Sequence, residues 1–289
     1  KILEGTQQYL VPLFQRRYSW QRQQWENLWE DLIELTEQET IRPHFMGSIV
    51  TIQDDSVPEG VSQYLLIDGQ QRLTTILILL AVVRDRAKQN SETKTLADEI
   101  NETILINRFK KDLERYKLQP TQSDRPDFHK IIDAGSPNSE KSLINECYRF
   151  FDKELKKQSI DLNSIKKAII GGLSLVSITL DDDENPYLVF ESLNAKGKPL
   201  TQADLIRNYL FMRIHKDKQE EIYAQYWEPM QDALSDSLTE CIRHYLMKDG
   251  LEVKKDQVYF TLKEKVNPQN ALESLKDLAK FAEYYHKLI

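Results

Sequence analysis

Leu65-Leu66-Ile67-Asp68-Gly69-Gln70-Gln71-Arg72-Leu73-Thr74-Thr75-Ile76 reads as the end of a buried strand, a tight turn and the start of a long helix. The strand covers residues 64–67 and the turn is Asp68-Gly69. Beyond it, Leu73, Ile76, Leu77, Leu80 and Val83 recur at helical spacing. A strand-to-helix junction aims unpaired backbone N–H groups and the positive end of the helix dipole at whatever lies above it. Gly69 has no side chain to hold a ligand away from the backbone. Gln70, Gln71 and Arg72 add amide donors and a fixed cationic fork, a set that suits phosphate or another anion. The alternative is purely structural, because Asp-Gly is a common turn and Asp68 can cap a helix. Three consecutive long polar side chains at the mouth of a very apolar helix favour a ligand.

Upstream, residues 2–11 pattern as a strand broken by Pro12, and Ser19 can N-cap the next helix. Trp25, Leu28, Trp29 and Leu32 follow i, i+3, i+4, i+7 and predict an amphipathic helix with a tryptophan core. Phe14, Tyr18 and Trp20 differ, because they interleave with Gln15, Arg16 and Arg17. Aromatics beside Arg and Gln make a pocket for a nucleobase, or else a hydrophobic staple on the helix entry.

Residues 45–53 form the next strand, where Gly47 signals close backbone approach. A polar hairpin loop, residues 54–62, leads to the strand that feeds the turn. The expected fold class is therefore α+β: a small mixed sheet with helices, a largely α-helical insertion at residues 91–172 and a C-terminal helical region. Within the insertion, residues 96–109 and 143–155 have helical spacing and residues 116–120 a short-strand pattern. His129 has no partner at metal-ligand spacing and reads as structural. Residues 173–180 alternate as a strand. Asp181-Asp182-Asp183-Glu184 could hold Mg²⁺ or form a solvated loop. Asn185-Pro186 opens a helix, Thr201 caps another, and residues 213–289 continue as helices. The expected divisions are residues 1–90, 91–172, 173–212 and 213–289.

The 289 residues are 40% hydrophobic and 29% charged, an ordinary globular composition. Net charge is −7, which argues against DNA binding by overall charge and leaves only local patches such as Arg16, Arg17 and Arg22. Cys147 and Cys241, far apart and without metal-ligand spacing, read as reduced buried thiols of a cytoplasmic chain. No apolar run reaches the ~18 residues of a membrane span. The chain begins at Lys1 and stops within a helical pattern, so a fragment of a longer protein is expected.

Ile67-Asp68-Gly69-Gln70-Gln71-Arg72-Leu73-Thr74-Thr75 resembles the signature of the DUF262 family, the N-terminal domain of GmrSD-type restriction proteins. Three further blocks resemble family segments in the same order. They are Val11-Pro12-Leu13-Phe14-Gln15-Arg16-Arg17-Tyr18-Ser19-Trp20, His44-Phe45-Met46-Gly47-Ser48-Ile49-Val50, and Phe190-Glu191-Ser192-Leu193-Asn194-Ala195-Lys196-Gly197-Lys198-Pro199-Leu200 with Asp204-Leu205-Ile206-Arg207-Asn208. The resemblance implies a ParB/sulfiredoxin-like sheet and a role in prokaryotic defence against foreign, often modified, DNA. It implies a nucleotide-binding and nucleotide-hydrolysing domain that controls an HNH-type nuclease, carried on a C-terminal domain or a partner chain.

Carried onto this sequence, Asp68, Gln70, Gln71 and Arg72 would be catalytic, with Asp68 as a base or a Mg²⁺ ligand. Gly69, Thr74, Thr75, Asn194 and Lys198 would bind nucleotide. In a second reading, as a binding module, Phe14, Gln15, Arg16, Arg17, Tyr18 and Trp20 would sense DNA and the Asp68 turn would be structural or bind the DNA phosphate. The alternatives are a DNA-sensing module without NTPase activity and a ParB-like nuclease. Mg²⁺ is the implied cofactor. An NTP, DNA and a nuclease are the implied partners, with homo-oligomers allowed and no membrane.

Overall fold

The computed structural model describes residues 2–3, 5–13, 15–38, 43–53, 60–134, 142–157, 160–180, 201–267 and 270–288. The expected acidic run at 181–184, the helix opening at Asn185-Pro186, and Phe14, Asn194 and Lys198 lie outside them. The chain divides into two compact units, residues 1–12 with 17–184 and residues 13–16 with 185–289.

The first unit is built on a five-stranded mixed sheet of β1 (Gln7–Leu10), β2 (His44–Gln53), β3 (Ser62–Asp68), β4 (Leu118–Gln119) and β5 (Leu173–Leu180), in the order β4-β1-β3-β2-β5. β1 runs parallel to β3 and β4, β2 antiparallel to β3, and β5 parallel to β2. The α+β expectation holds. The first strand is shorter than the pattern over residues 2–11 suggested, because Gly5 turns the chain at φ +84° before Gln7. β2 carries an irregularity against β5 between Phe45 and Gly47, and Gly47 adopts φ +119° there. A bulge of this kind is where glycine is needed, since other residues resist positive φ.

Helix α1 (Arg22–Glu37) buries Trp25, Leu28, Trp29, Leu32 and Leu35. Its N-cap is Gln21 rather than the expected Ser19: the Gln24 side chain accepts from the Gln21 N–H at 2.9 Å. Ser19 N–H is held elsewhere, by Gln71. Helix α2 (Gln70–Ala87) follows β3 directly and is buried continuously from Leu73 to Arg84. A helix apolar on all sides must be surrounded, and this one is the centre of the first core.

The expected helical insertion does not stand apart from the sheet. Its helices α3 (Lys94–Ile100), α4 (Arg125–Ala134), α5 (Leu143–Lys157) and α6 (Leu162–Lys167) share that core through Ile100, Phe128, Ile131, Phe151 and Ile165. The helical pattern expected over residues 96–109 ends early, in a π turn at Asn101–Leu105. Arg84, fully buried, ties the pieces together. Its guanidinium donates to the Ile131 carbonyl (2.8 Å), the Ile132 carbonyl and Asn101 Oδ1 (3.0 Å). Its Nε pairs with Asp85, whose other oxygen accepts from Tyr148. A cation at the carbonyl end of α4 is favoured by the helix dipole.

The second unit is helical: α7 (Gln202–Phe211), α8 (Lys216–Ile222), α9 (Glu228–Leu234), α10 (Leu238–Met247), α11 (Val258–Lys265) and α12 (Ala271–Leu288). Thr201 caps α7 in a reciprocal box with Asp204, as expected. Arg207 is buried and bridges Asp204 (2.8 Å) and Gln231 (2.7 Å). Its own core gathers Tyr209, Phe211, Trp227, Cys241, Tyr259 and Leu275. β5 returns to the sheet as the resemblance implied, whereas α7 belongs to this second unit.

Candidate functional site

The strand β3 delivers Asp68 to the edge of the core, and Gly69 turns the chain at φ +96° into α2. Glycine is required here on two counts. The φ is left-handed, and a Cβ at this point would meet Ile49 Cγ1 at 2.9 Å and the Ser48 carbonyl at 3.0 Å. As N-cap, Gly69 offers no side-chain acceptor, and the first turn of α2 holds no acid. The helix therefore presents its N–H groups and dipole without an internal carboxylate to neutralise them.

Arg72 lies across this junction. Its Nη2 donates to Asp68 Oδ2 and to the Ser48 carbonyl, both at 2.7 Å. Its plane rests on the backbone of Gly47: a Cβ on that glycine would stand 3.2 Å from Cζ and Nη1. Nε is buried without a hydrogen-bond partner among the described residues. The two side chains of the ion pair are only 19% and 21% exposed, so solvent screens them less than a surface pair. The closeness expected at Gly47 is thus real, and what approaches is the arginine. Ser48 acts through its carbonyl, for which no side-chain pattern gives a signal.

Gln71 is buried, and its amide is engaged. Oε1 accepts from Ser19 N at 2.7 Å and Nε2 donates to the Arg17 carbonyl at 3.3 Å. Tyr18, between them, points inward. Its hydroxyl meets Thr75 Oγ1 at 2.6 Å and accepts from Trp25 Nε1 at 2.8 Å, with Cys147 Sγ at 3.4 Å. Burial pushes the Tyr18 phenol and the Cys147 thiol well up from their ordinary values. Thr75 donates back to the Gln71 carbonyl at 2.8 Å. Thr74 and Thr75 are both buried, and Gln70 is nearly so.

The structure therefore gathers Asp68, Gly69, Gln70, Gln71 and Arg72 with Arg17, Tyr18 and Ser19. Trp20 packs partly buried against the same core, and Gln15 and Arg16 belong to the second unit. A residue the sequence did not single out is Asp124, whose Oδ2 accepts from Tyr18 N and Thr121 Oγ1, each at 2.7 Å. It is 106 positions from Tyr18, so no local spacing could reveal it. His129 stacks on Tyr116 with centroids 3.8 Å apart and pairs with Gln119 Oε1 at 2.9 Å, as a structural residue. Among the described residues no group of three or more His, Cys, Asp or Glu could hold a metal ion, and no helix is long and apolar enough to cross a membrane.

A mixed sheet whose strand ends in Asp-Gly, with an arginine folded over the mouth of the following helix, defines an α+β domain. The family described as GmrSD restriction endonuclease, N-terminal domain, matches residues 1–211, and the chain belongs to it. It is thus an N-terminal domain of a restriction system. No curated protein matches the chain.

Proposed function

We propose that this domain binds a nucleoside triphosphate at the Asp68–Arg72 junction and hydrolyses it to control a DNA endonuclease of the restriction system. The observation that carries the reading is Arg72, fixed by Asp68 and the Ser48 carbonyl at the start of α2, where the N-cap Gly69 has no side chain to occupy the helix N–H groups. Backbone N–H groups and a preset guanidinium favour the charge that develops on a transferred phosphoryl group. In hydrolysis, water attacks the γ-phosphorus, the bond to the β–γ bridging oxygen breaks, and the water's proton leaves to a base. Asp68 is the candidate base. Gln70 is the candidate for orienting the water, since the Gln71 amide is engaged by Ser19 and Arg17.

Asp68 would be the carboxylate closest to a magnesium ion, and among the described residues it belongs to no group of three or more His, Cys, Asp or Glu that could hold one. The donor set fits magnesium that arrives on the triphosphate, held chiefly by phosphate oxygens. Such an ion would neutralise charge on the β- and γ-phosphates.

The test is phosphate release from ATP, GTP, CTP and UTP with Mg²⁺, alongside equilibrium nucleotide binding, for wild type, Arg72→Ala and Arg72→Lys. Loss of turnover in Arg72→Ala with partial recovery in Arg72→Lys is expected. Unchanged binding and turnover in Arg72→Ala overturns the assignment. Adding unmodified and base-modified duplexes to the same assay tests the sensing role of Phe14, Gln15, Arg16, Arg17 and Trp20: a modification-dependent rate is expected.

A further inference from the structure

Residues 107–116 lead from the π turn after α3 towards β4, and they hold two apolar side chains out in water: Phe109 is 88% exposed and Leu113 57%. Single exposed apolar residues are ordinary on a surface. Here the backbone that carries them is fixed by buried amides. Lys110 N closes a turn on the Asn107 carbonyl at 2.9 Å, with Arg108 and Phe109 at its centre. Asn107, buried, donates from N to the Arg115 carbonyl at 2.7 Å and from Nδ2 to the Glu114 carbonyl at 2.9 Å and the Gln7 carbonyl at 3.3 Å. Gln8 on β1, also buried, donates to the Leu113 and Tyr116 carbonyls at 2.5 and 2.9 Å. Gln119 on β4 gives Leu113 a second donor at 2.8 Å. Asp112 adopts φ +50°, which a non-glycine residue takes where its surroundings impose it.

The same loop holds Arg108, Lys110, Lys111 and Arg115 against Asp112 and Glu114. Arg108 lies over Phe109, its Cζ 5.4 Å from the ring centroid. Its ion pair with Glu102 at 2.9 Å is exposed, and exposed pairs are weak enough to exchange for a phosphate. Lys111 is exposed and forms no ion pair among the described residues. Tyr18, the aromatic that stood beside arginines in sequence, is buried, whereas Phe109 faces solvent among cations.

We propose that residues 107–116 are a contact for duplex DNA, with Phe109 set as an apolar wedge in a groove and Arg108 and Lys111 on the flanking phosphates. DNA is the polyanion that a restriction system meets. Apolar wedges flanked by cations grip a groove without a full base code, and the phosphate contacts supply affinity. The contact is separate from the nucleotide junction. Gln7, which Asn107 holds, pairs with Ser62 at the start of β3. Asp68 ends that strand six residues on, about 20 Å away at about 3.3 Å per residue. DNA binding here therefore needs no nucleotide.

The experiment is equilibrium binding of the full chain to a short fluorescein-labelled duplex, without nucleotide, over a salt series. The variants are Phe109→Ala, Phe109→Trp, Lys111→Ala and, as an exposed cation of the second unit, Lys287→Ala. All three positions are exposed, so none of these changes should unfold the chain. Phe109→Ala is expected to weaken binding about tenfold with the salt dependence unchanged, and Phe109→Trp to stay within about threefold of wild type. Lys111→Ala should lower the slope of log affinity against log salt by about one, and Lys287→Ala should leave it as it is. Wild type that does not bind at low salt overturns the proposal. So does Phe109→Ala that binds like wild type, which would give the exposed ring to a protein partner instead. Equal losses in Lys111→Ala and Lys287→Ala would overturn it too, because net charge and not this loop would then drive binding.

Discussion

Gly47→Ala tests the arginine platform directly. At φ +119° an alanine enters a backbone region that L-residues avoid, at about 1–3 kcal/mol. The new Cβ would also stand 3.2 Å from Arg72 Cζ and Nη1 and 3.4 Å from Nε, so the guanidinium must give by a few tenths of an ångström. It cannot do so without loss, because Nη2 holds Asp68 and the Ser48 carbonyl at 2.7 Å each. Weakening two charge-assisted bonds adds about 1 kcal/mol, a coupling typical of residues in contact. The total expected is about 2–4 kcal/mol, of which about 1 kcal/mol depends on Arg72. Urea unfolding in a Trp227→Phe background isolates the first unit, since Trp20, Trp25 and Trp29 are then the only tryptophans. Gly47→Ala is expected to cost about 1 kcal/mol less in the Arg72→Ala background than beside the native arginine. Equal costs in the two backgrounds would refute the claim that the arginine rests on this glycine.

Arg84→Met leaves the carbonyls of Ile131 and Ile132, Asn101 and the Asp85 carboxylate without their buried cation; a loss of about 3–5 kcal/mol is expected by urea unfolding, with wild-type-like stability the contrary result. His129 is held below its ordinary pKa of 6.5, first by burial and then by Arg125. Its contribution is therefore fully present above pH 6.5 and is lost as pH falls through the lowered value, and His129→Phe should flatten that limb of the stability–pH curve. Burial raises the thiol of Cys147 beyond the useful range and that of Cys241 to about 12, so neither should react with a thiol reagent at pH 8 until the chain is unfolded. Labelling of the native chain at a rate matching the unfolded one would contradict the buried placement of both.

What could be read in advance divides by the range of the interaction involved. The strand, the Asp68-Gly69 turn and the apolar helix from Gln70 follow from periodicity within a dozen residues, and they came out as patterned. So did the tryptophan face of α1 and the cap at Thr201. The departures around the turn involve competition from distant partners. Ser19 has the chemistry of an N-cap, yet its N–H is taken by Gln71, 52 positions on, and Gln21 caps the helix instead. Gln71 and Thr75 look like ligand-facing donors from local sequence, yet Arg17, Tyr18 and Ser19 engage them in the interior. Tyr18, read beside the arginines as a sensor, is drawn into the core by Trp25 and Thr75.

These departures share one place, and that bears on mechanism. The segment resembling the family's opening motif and the turn resembling its signature motif meet through Gln71, Tyr18 and Thr75 over a few ångströms. A displacement of α2's first turn must therefore move residues 17–19, or break buried hydrogen bonds that each contribute about 1 kcal/mol. Arg72 is tied in the other direction, to Ser48 on β2 and across Gly47. Motion at the turn can thus reach the arginine segment and β2 by separate routes. Gln71 governs only the first. Nucleotide-dependent protection of the Ser19 amide from hydrogen exchange should accordingly vanish in Gln71→Ala, while that of β2 persists. Simultaneous loss at both would mean that the turn, and not Gln71, carries the coupling.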